Sequence, residues 1–211
     1  DIGGESTRPG ATPVSSQQEI DRVMPVLEHL RQHTDACFSI DTSNPALMRL
    51  AVDAGAHIIN DVRALRRVGV CLMHMRGEPG TMQDDTRYPS VEDAVVGFLN
   101  RQSEAVMAAG VHRSRIVLDP GFGFGKSPQQ NMRLLAKLPD LTKLGFPVLA
   151  GLSRKSLIAA VTGRDINERL PGSVALATMA MQAGAKLLRV HDVAATVDAV
   201  RLFEAMQRET K

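Results

Sequence analysis

Five cationic side chains follow three of the apolar runs in this sequence: Arg8, Arg154, Lys155, Arg189 and His191. Bringing these charges together requires a polyanion such as a phosphate or a diphosphate, because like charges repel unless a ligand neutralises them. The turn at 153–156 also leads directly into an apolar helical pattern. Its amide groups would then lie at a helix N-terminus, where anions bind. The sequence therefore predicts a site for an anionic substrate.

Carboxylate and amide side chains end three other apolar runs: Asp41, Asn60 and Asp119. Side chains of this kind often only cap the helix that follows a strand. If the three converge, they offer acceptors and one amide to a flat heterocycle with ring N–H and amino donors. The rival use is Mg²⁺, which prefers oxygen ligands, and both uses stay open. His74, at the end of a fourth run, is either a packed histidine or a ligand.

The glycine-rich run near the middle of the chain does not have the spacing of a nucleotide-binding loop. A P-loop would need glycine where Pro120 stands, and the dinucleotide fingerprint would need glycine where Lys126 stands. We interpret this run as a flexible wall in which Phe122 or Phe124 stacks on a ring. We expect Lys126 to be solvated.

Seven short apolar runs, each ending at polar residues, alternate with longer helical patterns. The runs lie at 1–7, 39–43, 58–61, 71–75, 116–120, 148–153 and 187–192. Continuous apolar strands separated by helices are typical of a parallel sheet buried on both faces. They predict an α/β fold, a (β/α)8 TIM barrel, forming a single domain over 1–211, with its active site at the carboxyl ends of the strands. A doubly wound open sheet is the alternative.

One connection is too short for this fold. Only the six residues 62–67 remain between Asp61 and the next run near Val68, whereas parallel neighbours need a crossover of about a dozen residues or more. Either these strands are antiparallel or a helix-sized segment is missing here, and we expect the second. The chain also opens at Asp1, as if at the end of a strand, so we expect the first βα unit to precede it.

Several helix starts carry capping signals. Ser16 followed by Glu19 predicts a capping box, and Asn44 and Ser127 each stand before a proline, as an N-cap does before the first helical residue. Thr196 is predicted to cap the last helix.

Composition excludes other classes of protein. Lys+Arg 25 against Asp+Glu 23 gives a net charge of +2, too balanced for nucleic-acid or membrane-surface binding. No apolar run has the length of a transmembrane helix. Cys37 and Cys71 both lie in apolar runs, which predicts two buried, reduced thiols in a cytoplasmic protein.

Seven motifs occur in order along residues 1 to about 200: GGESTRPG, IDTS, IIND, MHM, LDPGFGFGK, SRKS and RVHD. In order and spacing they resemble the bacterial dihydropteroate synthases of folate biosynthesis, in the pterin-binding barrel superfamily. The resemblance implies a cytoplasmic (β/α)8 barrel enzyme that is a sulfonamide target and a homodimer formed through its last two helices. It implies condensation of 6-hydroxymethyl-7,8-dihydropterin diphosphate with 4-aminobenzoate, in the presence of Mg²⁺, to give 7,8-dihydropteroate and pyrophosphate.

The resemblance also implies roles for individual residues. The side chains that would bind the pterin ring are Asp41, Asn60, Asp119 and Lys155, with Met75 and Phe124 as pocket walls. Those that would surround the diphosphate are Thr7, Arg8, Arg189 and His191. Ser156 would meet the aminobenzoate carboxylate, and the residues beside that ring would be Arg8, Pro9, Phe124 and Lys155. The catalytic residues would be Asp41, Asp119, Arg8 and Lys155.

In the implied reaction, C–O cleavage leaves a pterin-stabilised cation that the aniline nitrogen captures. Asp41 and Asp119 would stabilise this cation, and Arg8, Arg189, His191 and Mg²⁺ would stabilise the departing pyrophosphate. The family also has an Asn-x-Thr-Pro-Asp-Ser-Phe run whose asparagine meets Mg²⁺, and this run is not in the sequence. No metal ligand is therefore assigned, and we expect the full protein to contain that segment.

Three other functions compete with this one. A pterin-binding barrel could move the methyl group of methyltetrahydrofolate to a corrinoid protein, which needs no cationic rim. A Schiff-base aldolase could use Lys155. A truncated domain could keep the pocket without catalysis.

Overall fold

The described strands are short and overlap the predicted apolar runs, and β1–β2, β2–β3, β3–β4 and β6–β7 pair in parallel. The computed structural model describes residues 1–6, 12, 14–60, 69–77, 82 and 85–209. Within these residues, unit 1 comprises 1–73 and 99–118, and unit 2 comprises 74–77, 82–98 and 119–209. The single domain over 1–211 stays a prediction.

Five strands form the larger of the two sheets in the described part of the chain. They are β1 (Ile2–Gly3), β2 (Ser39–Asp41), β3 (Ile58–Asn60), β4 (Gly69–Met73) and β5 (Ile116–Asp119). Each strand is hydrogen-bonded to the next one in sequence, in the order β1-β2-β3-β4-β5. A doubly wound sheet reverses its strand order at a switch point. The consecutive order therefore favours the barrel arrangement, although the described strands form open sheets and not a closed barrel.

The pairing of β3 with β4 is parallel, with Ile58 opposite Gly69 and Ile59 opposite Val70. This finding excludes the antiparallel alternative for the short connection. The connection itself, 61–68, lies outside the described residues, and the missing segment stays a prediction.

Two helices cover the sheet of unit 1, and they precede and follow β2. They are α1 (Ser16–His33) and α2 (Pro45–Asp53). Their apolar faces form a core with the buried side chains of β2 and β3: Val23, Leu27, Phe38, Ile40, Leu47, Met48, Ala51, Ala56 and Ile59. Close packing of this kind fixes the direction of the strand ends.

Unit 2 contains a second parallel pair, β6 (Leu149–Ala150) with β7 (Leu187–Leu188). The remaining helices are α3 (Val91–Ala108), α4 (Pro128–Ala136), α5 (Leu138–Thr142), α6 (Ser156–Thr162), α7 (Leu170–Gln182) and α8 (Val193–Arg208). Two 3-10 helices span Arg113–Arg115 and Ile166–Glu168.

The caps confirm some predictions and correct others. Asn44 and Ser127 are the N-caps of α2 and α4, each with its side chain accepting backbone N–H bonds. The capping box of α1 is formed by Ser15 with Gln18, one residue before the predicted pair. The prediction for Thr196 is wrong because α8 already begins at Val193, and the Thr196 hydroxyl donates to the Asp192 carbonyl from inside the helix.

The two cysteines differ in exposure. Cys71 is buried in β4, as predicted, whereas Cys37 is exposed, so the prediction of a buried thiol there is wrong. Cys37 lies before β2 begins, in a segment without regular structure. Of the helices in the described part of the chain, none combines the length and the apolar composition that a membrane span requires.

Candidate functional site

Unit 1 presents the carboxylate and amide group at the ends of adjacent strands. Asp41 ends β2 and Asn60 ends β3, and the two are Cα partners in the parallel register. Asn60 is buried and its Nδ2 donates to Asp1 Oδ2 at 3.4 Å, whereas the Asp41 side chain is exposed. These two strand ends therefore lie side by side in the sheet; the convergence of Asp119 with them stays a prediction.

Unit 2 presents the third carboxylate, Asp119, at the end of β5. Only 3% of its surface is exposed, and its Oδ1 accepts the Gly121 amide N–H at 2.8 Å. The Arg189 guanidinium lies 3.6 Å from Oδ2. A buried carboxylate with one oxygen directed by a backbone N–H and the other facing a cation is held in a single orientation.

Lys155 lies close to the same strand end. Its ammonium donates to the Phe122 carbonyl and lies 4.2 Å from the centre of the Phe124 ring, a cation–π contact. Burial lowers the pKa of Lys155 to about 8, and Asp119 opposes this shift. Phe124 is half-buried, while Phe122 is in the core at 1% exposure. Of the two phenylalanines predicted to stack on a ring, only Phe124 is accessible.

The prediction for Lys126 is wrong, because this side chain is buried rather than solvated. Its Nζ lies within hydrogen-bonding distance of the Gly121 and Phe124 carbonyls and of His74. The signal that could have revealed it is the glycine-rich turn itself, whose carbonyl oxygens need a buried donor if the turn packs inside.

His74 is a packed histidine, the first of the two alternatives. Its ring makes an edge-to-face contact with Phe98, with centroids 5.1 Å apart. Burial and the charge of Lys126 lower the pKa of His74 to about 4. The ring is therefore neutral at physiological pH. Met75, the next residue, is half-buried.

Two of the predicted cationic residues engage neighbouring side chains. The Arg154 Nε donates to Asp192 Oδ2 at 3.0 Å, and this pairing lowers the pKa of Asp192. The His191 Nδ1 lies 3.0 Å from the Ser153 hydroxyl. The Arg154 guanidinium thus holds the loop before α8 through Asp192. The exposed His191 ring is oriented by its contact with the Ser153 hydroxyl.

The turn between β6 and α6 has an unusual backbone. Arg154 adopts a left-handed conformation with φ of 56°. Its N–H donates to the Ser173 hydroxyl at 2.9 Å, and its carbonyl accepts from Arg169 at 2.9 Å. Helix α6 begins at Ser156, as predicted, with Lys155 as its N-cap and the Ser156 side chain exposed.

Part of the predicted site falls outside the described residues, namely Thr7, Arg8 and Pro9. In the described part of the chain, no three His, Cys, Asp or Glu side chains form a group that could hold a metal ion. The structure therefore brings Asp41 and Asn60 together in unit 1, and Asp119, Lys155, Phe124 and Arg189 in unit 2.

Comparison with known proteins gives the class of this fold and site. Residues 1–191 match the family model described as pterin binding enzyme. Among curated relatives, the dihydropteroate synthase of Haemophilus influenzae is 46% identical over 216 residues, which cover 97% of this chain and 78% of the relative.

Solved structures agree. The dihydropteroate synthase of Yersinia pestis, in a sulfonamide drug complex, is 42% identical with a TM-score of 0.92, over 97% of this chain and 78% of that chain. That of Xanthomonas albilineans with 4-aminobenzoic acid is 50% identical with a TM-score of 0.90, over 98% and 78%. The chain belongs to the dihydropteroate synthase family of pterin-binding enzymes, and the TIM-barrel fold of these relatives confirms the predicted fold class.

Proposed function

We propose that this enzyme condenses 6-hydroxymethyl-7,8-dihydropterin diphosphate with 4-aminobenzoate, giving 7,8-dihydropteroate and pyrophosphate. The observation that carries the proposal is the cluster of three charges in unit 2, in which the buried Asp119 carboxylate lies near the half-buried cationic groups of Lys155 and Arg189. Family membership supports it, as does the Xanthomonas albilineans relative with 4-aminobenzoic acid.

Recognition of the pterin would use the carboxylates and the amide. A pterin presents ring N–H and amino donors along one edge, and a buried carboxylate binds such donors strongly because few water molecules compete. Asp119 is already oriented by Gly121 for this purpose. Asp41 and Asn60, adjacent at the ends of β2 and β3, would supply further acceptors and one amide donor.

The bond changes follow from this charge distribution. The exocyclic C–O bond breaks and its electron pair leaves with pyrophosphate, so that a cation remains on the methylene conjugated with the pterin. The lone pair of the aniline nitrogen forms the C–N bond, and that nitrogen then releases a proton. The negative charges of Asp119 and Asp41 stabilise the cation. No covalent enzyme intermediate is required.

The leaving group and the second substrate need cations and donors. Arg189 and His191, together with Thr7 and Arg8, would hold the diphosphate. Ser156 and the amides at the start of α6 would meet the aminobenzoate carboxylate, and the ring would lie among Phe124, Lys155 and Pro9. The Lys155 ammonium, held over Phe124, would border both substrates.

Mg²⁺ is proposed only as a requirement for turnover. The steps above describe only what the side chains of this chain do. Removal of divalent ions with EDTA is expected to abolish turnover, and excess Mg²⁺ is expected to restore it. Turnover that persists in EDTA would contradict the requirement.

The proposed quaternary structure is a homodimer formed through α7 and α8. Helix α8 exposes several apolar side chains, among them Leu202 at 73%, with Val193 and Met206 on the same helix. Contiguous exposed apolar surface marks interfaces, and on α8 Leu202 and Met206 lie one turn apart on the same face. Sedimentation should give twice the monomer mass, and Leu202→Glu should give the monomer. A monomeric wild type would refute the proposal. The cytoplasmic location stays a prediction.

The test of function measures both binding and turnover. Calorimetry should show that the pterin diphosphate binds about 100-fold more tightly than the same pterin without its diphosphate, since charge-assisted hydrogen bonds to the two phosphates are lost. Mass spectrometry should detect dihydropteroate when 4-aminobenzoate is added.

The other outcomes separate the rival functions. Equal affinity for the two pterins would favour methyl transfer to a corrinoid protein. Binding with the diphosphate preference but without product would indicate a domain that keeps the pocket and lacks catalysis. Trapping of a carbonyl substrate on Lys155 by borohydride would favour the aldolase.

A further inference from the structure

Lys126 is a buried lysine that the proposed reaction does not use. It closes the glycine-rich run after β5, and 3% of its surface is exposed. Its Nζ lies 2.8 Å from the Gly121 carbonyl oxygen, 3.0 Å from the Phe124 carbonyl oxygen and 3.0 Å from His74 Nδ1. The His74 carbonyl oxygen is farther away, at 3.4 Å.

The number of donors matches the number of close acceptors. An ammonium group has three N–H donors and no acceptor, and three acceptors lie within 3.0 Å of Nζ. While the Lys126 amine is protonated, His74 Nδ1 accepts, which requires a neutral ring that carries its proton on Nε2. The lowering of the pKa of His74 to about 4 agrees with this requirement. Burial lowers the pKa of Lys126 to about 7, and Asp119 opposes this shift. A side chain without N–H donors at position 126 would leave the buried Gly121 and Phe124 carbonyl oxygens without a partner.

The turn that Lys126 closes is also the turn that holds two residues of the proposed site. The Gly121 N–H donates to Asp119 Oδ1 at 2.8 Å. The Phe122 carbonyl accepts from Lys155, and the Phe124 ring lies against the same ammonium. The backbone at 121–124 therefore contacts both Asp119 and Lys155 directly.

The backbone of this turn passes so close to the His74 backbone that position 121 has no room for a side chain. Gly121 has φ of 68°, and a Cβ there would lie 1.8 Å from the His74 carbonyl oxygen. On the far side, Asn131 Oδ1 accepts the Gly123 N–H at 2.7 Å, and Asn131 Nδ2 donates to the Lys126 carbonyl at 3.1 Å. The turn is thus a backbone loop without packed side chains at its glycines, held from one side by Asn131 and from the other by Lys126.

We propose that Lys126 is a positioning residue for the reaction, whose ammonium fixes the 121–124 turn and, through it, the Asp119 carboxylate and the Lys155 ammonium. The neutral His74 ring accepts the third hydrogen bond of the Lys126 ammonium, after the Gly121 and Phe124 carbonyls. The proposal rests on the proposed function for its catalytic consequence, but not for its structural one.

The first test is Lys126→Met, which keeps the length of the side chain and removes the three donors. We expect kcat to fall about 100-fold, because misplacement of charged groups by a fraction of an ångström weakens transition-state stabilisation. The KM for 4-aminobenzoate should rise by a smaller factor than kcat falls, because Phe124 and Lys155, which the turn positions, border the ring in the proposed site. Without substrates, hydrogen exchange of the Gly121 amide, followed by NMR, should accelerate at least tenfold while amides in β2 stay as protected as in the wild type.

Two controls separate positioning from loss of stability. Lys143→Met removes an exposed lysine that pairs with Asp140, and Leu138→Ala opens the core at a fully buried position of α5. Both should keep the wild-type kcat per folded molecule and the Gly121 exchange rate. A Leu138→Ala variant that loses kcat to the same extent as Lys126→Met would overturn the proposal.

Rescue gives a second readout that a purely structural role would not show. The alanine in Lys126→Ala lacks the three carbons and the nitrogen that make up n-propylamine. Adding n-propylamine should therefore restore the activity of this variant, up to a plateau as the amine saturates its site. The same amine should not change the activity of Leu138→Ala. His74→Asn keeps an acceptor at the δ position and should stay within fivefold of wild type, whereas His74→Leu should resemble Lys126→Met.

The outcomes distinguish the two proposals. If the wild type makes no dihydropteroate, the proposed function fails, and the Gly121 exchange rate in Lys126→Met still tests the positioning role. Unchanged exchange in Lys126→Met, or unchanged kcat in an enzyme whose wild type is active, would overturn the role of Lys126.

Discussion

Asp41 and Asp119 are both aspartates that end a parallel strand, yet their surroundings differ. Asp119 in unit 2 is buried, accepts a backbone N–H and faces Arg189, and the turn beside it is held by Lys126 and Asn131. Asp41 in unit 1 is exposed, beside a buried Asn60. The end of a strand thus sets the position of a carboxylate, but the packing around that carboxylate decides whether its orientation is fixed before a substrate binds.

The largest expected effect is on turnover, when the negative charge of Asp119 is removed and the result is compared with removal of the charge of Asp41. Asp119→Asn should lower kcat/KM about 1000-fold, because a preoriented charge in a water-excluded site is worth about 3–4 kcal/mol in a transition state. Asp41→Asn should cost about tenfold, since water screens an exposed carboxylate. Steady-state kinetics measure both, with the surface variant Asp140→Asn as the control. Equal losses at the two aspartates would show that burial does not set their contributions.

An effect of about 3 kcal/mol is expected in the pH dependence of stability. His74 has its pKa lowered from 6.5 to about 4, so between these pH values the unfolded chain binds a proton that the folded chain does not. The free energy of unfolding therefore rises with pH over this window, by about 1.4 kcal/mol for each unit of pKa shift.

Urea unfolding of wild type and His74→Asn between pH 4 and 7 isolates this contribution. The variant should lack the His74 part of the slope. Parallel slopes for wild type and His74→Asn would contradict the assignment.

The smallest expected effect concerns the turn before α6. Arg154 is the one non-glycine residue with positive φ in the described part of the chain. Arg154→Gly and Arg154→Ala both lose the ion pair with Asp192, but alanine should be less stable than glycine by about 1 kcal/mol, the cost of a left-handed conformation for a residue with a Cβ. Urea midpoints measure the difference. Equal midpoints would mean that the turn relaxes to another conformation.

Local signals in the sequence were enough to predict the strands and several helix starts. Asn44 and Ser127 were found as N-caps because the cap, the proline and the first turn are neighbours in sequence. The error of one residue at α1 has the same origin, since Ser15 and Ser16 carry equivalent hydroxyls and only the backbone decides which one caps. Strand ends followed from the polar residues that stop each apolar run.

Burial of charged and polar side chains could not be predicted in this way. Lys126 looks like a surface lysine after a flexible loop, and its acceptors come partly from His74, 52 positions earlier in the chain. Cys37 was misplaced because an apolar run does not show where its strand begins. Both depend on contacts between distant segments, which a single sequence does not display.

The sequence contains one tyrosine and no tryptophan. The Tyr88 ring lies 6.1 Å from the His74 ring, and the Arg76 guanidinium lies 4.9 Å from the Tyr88 ring centre. Nearly all of the ultraviolet emission excited near 280 nm must therefore originate from one side chain next to the partner of Lys126. This sequence thus carries an intrinsic optical probe of that network, which reports on it without labelling.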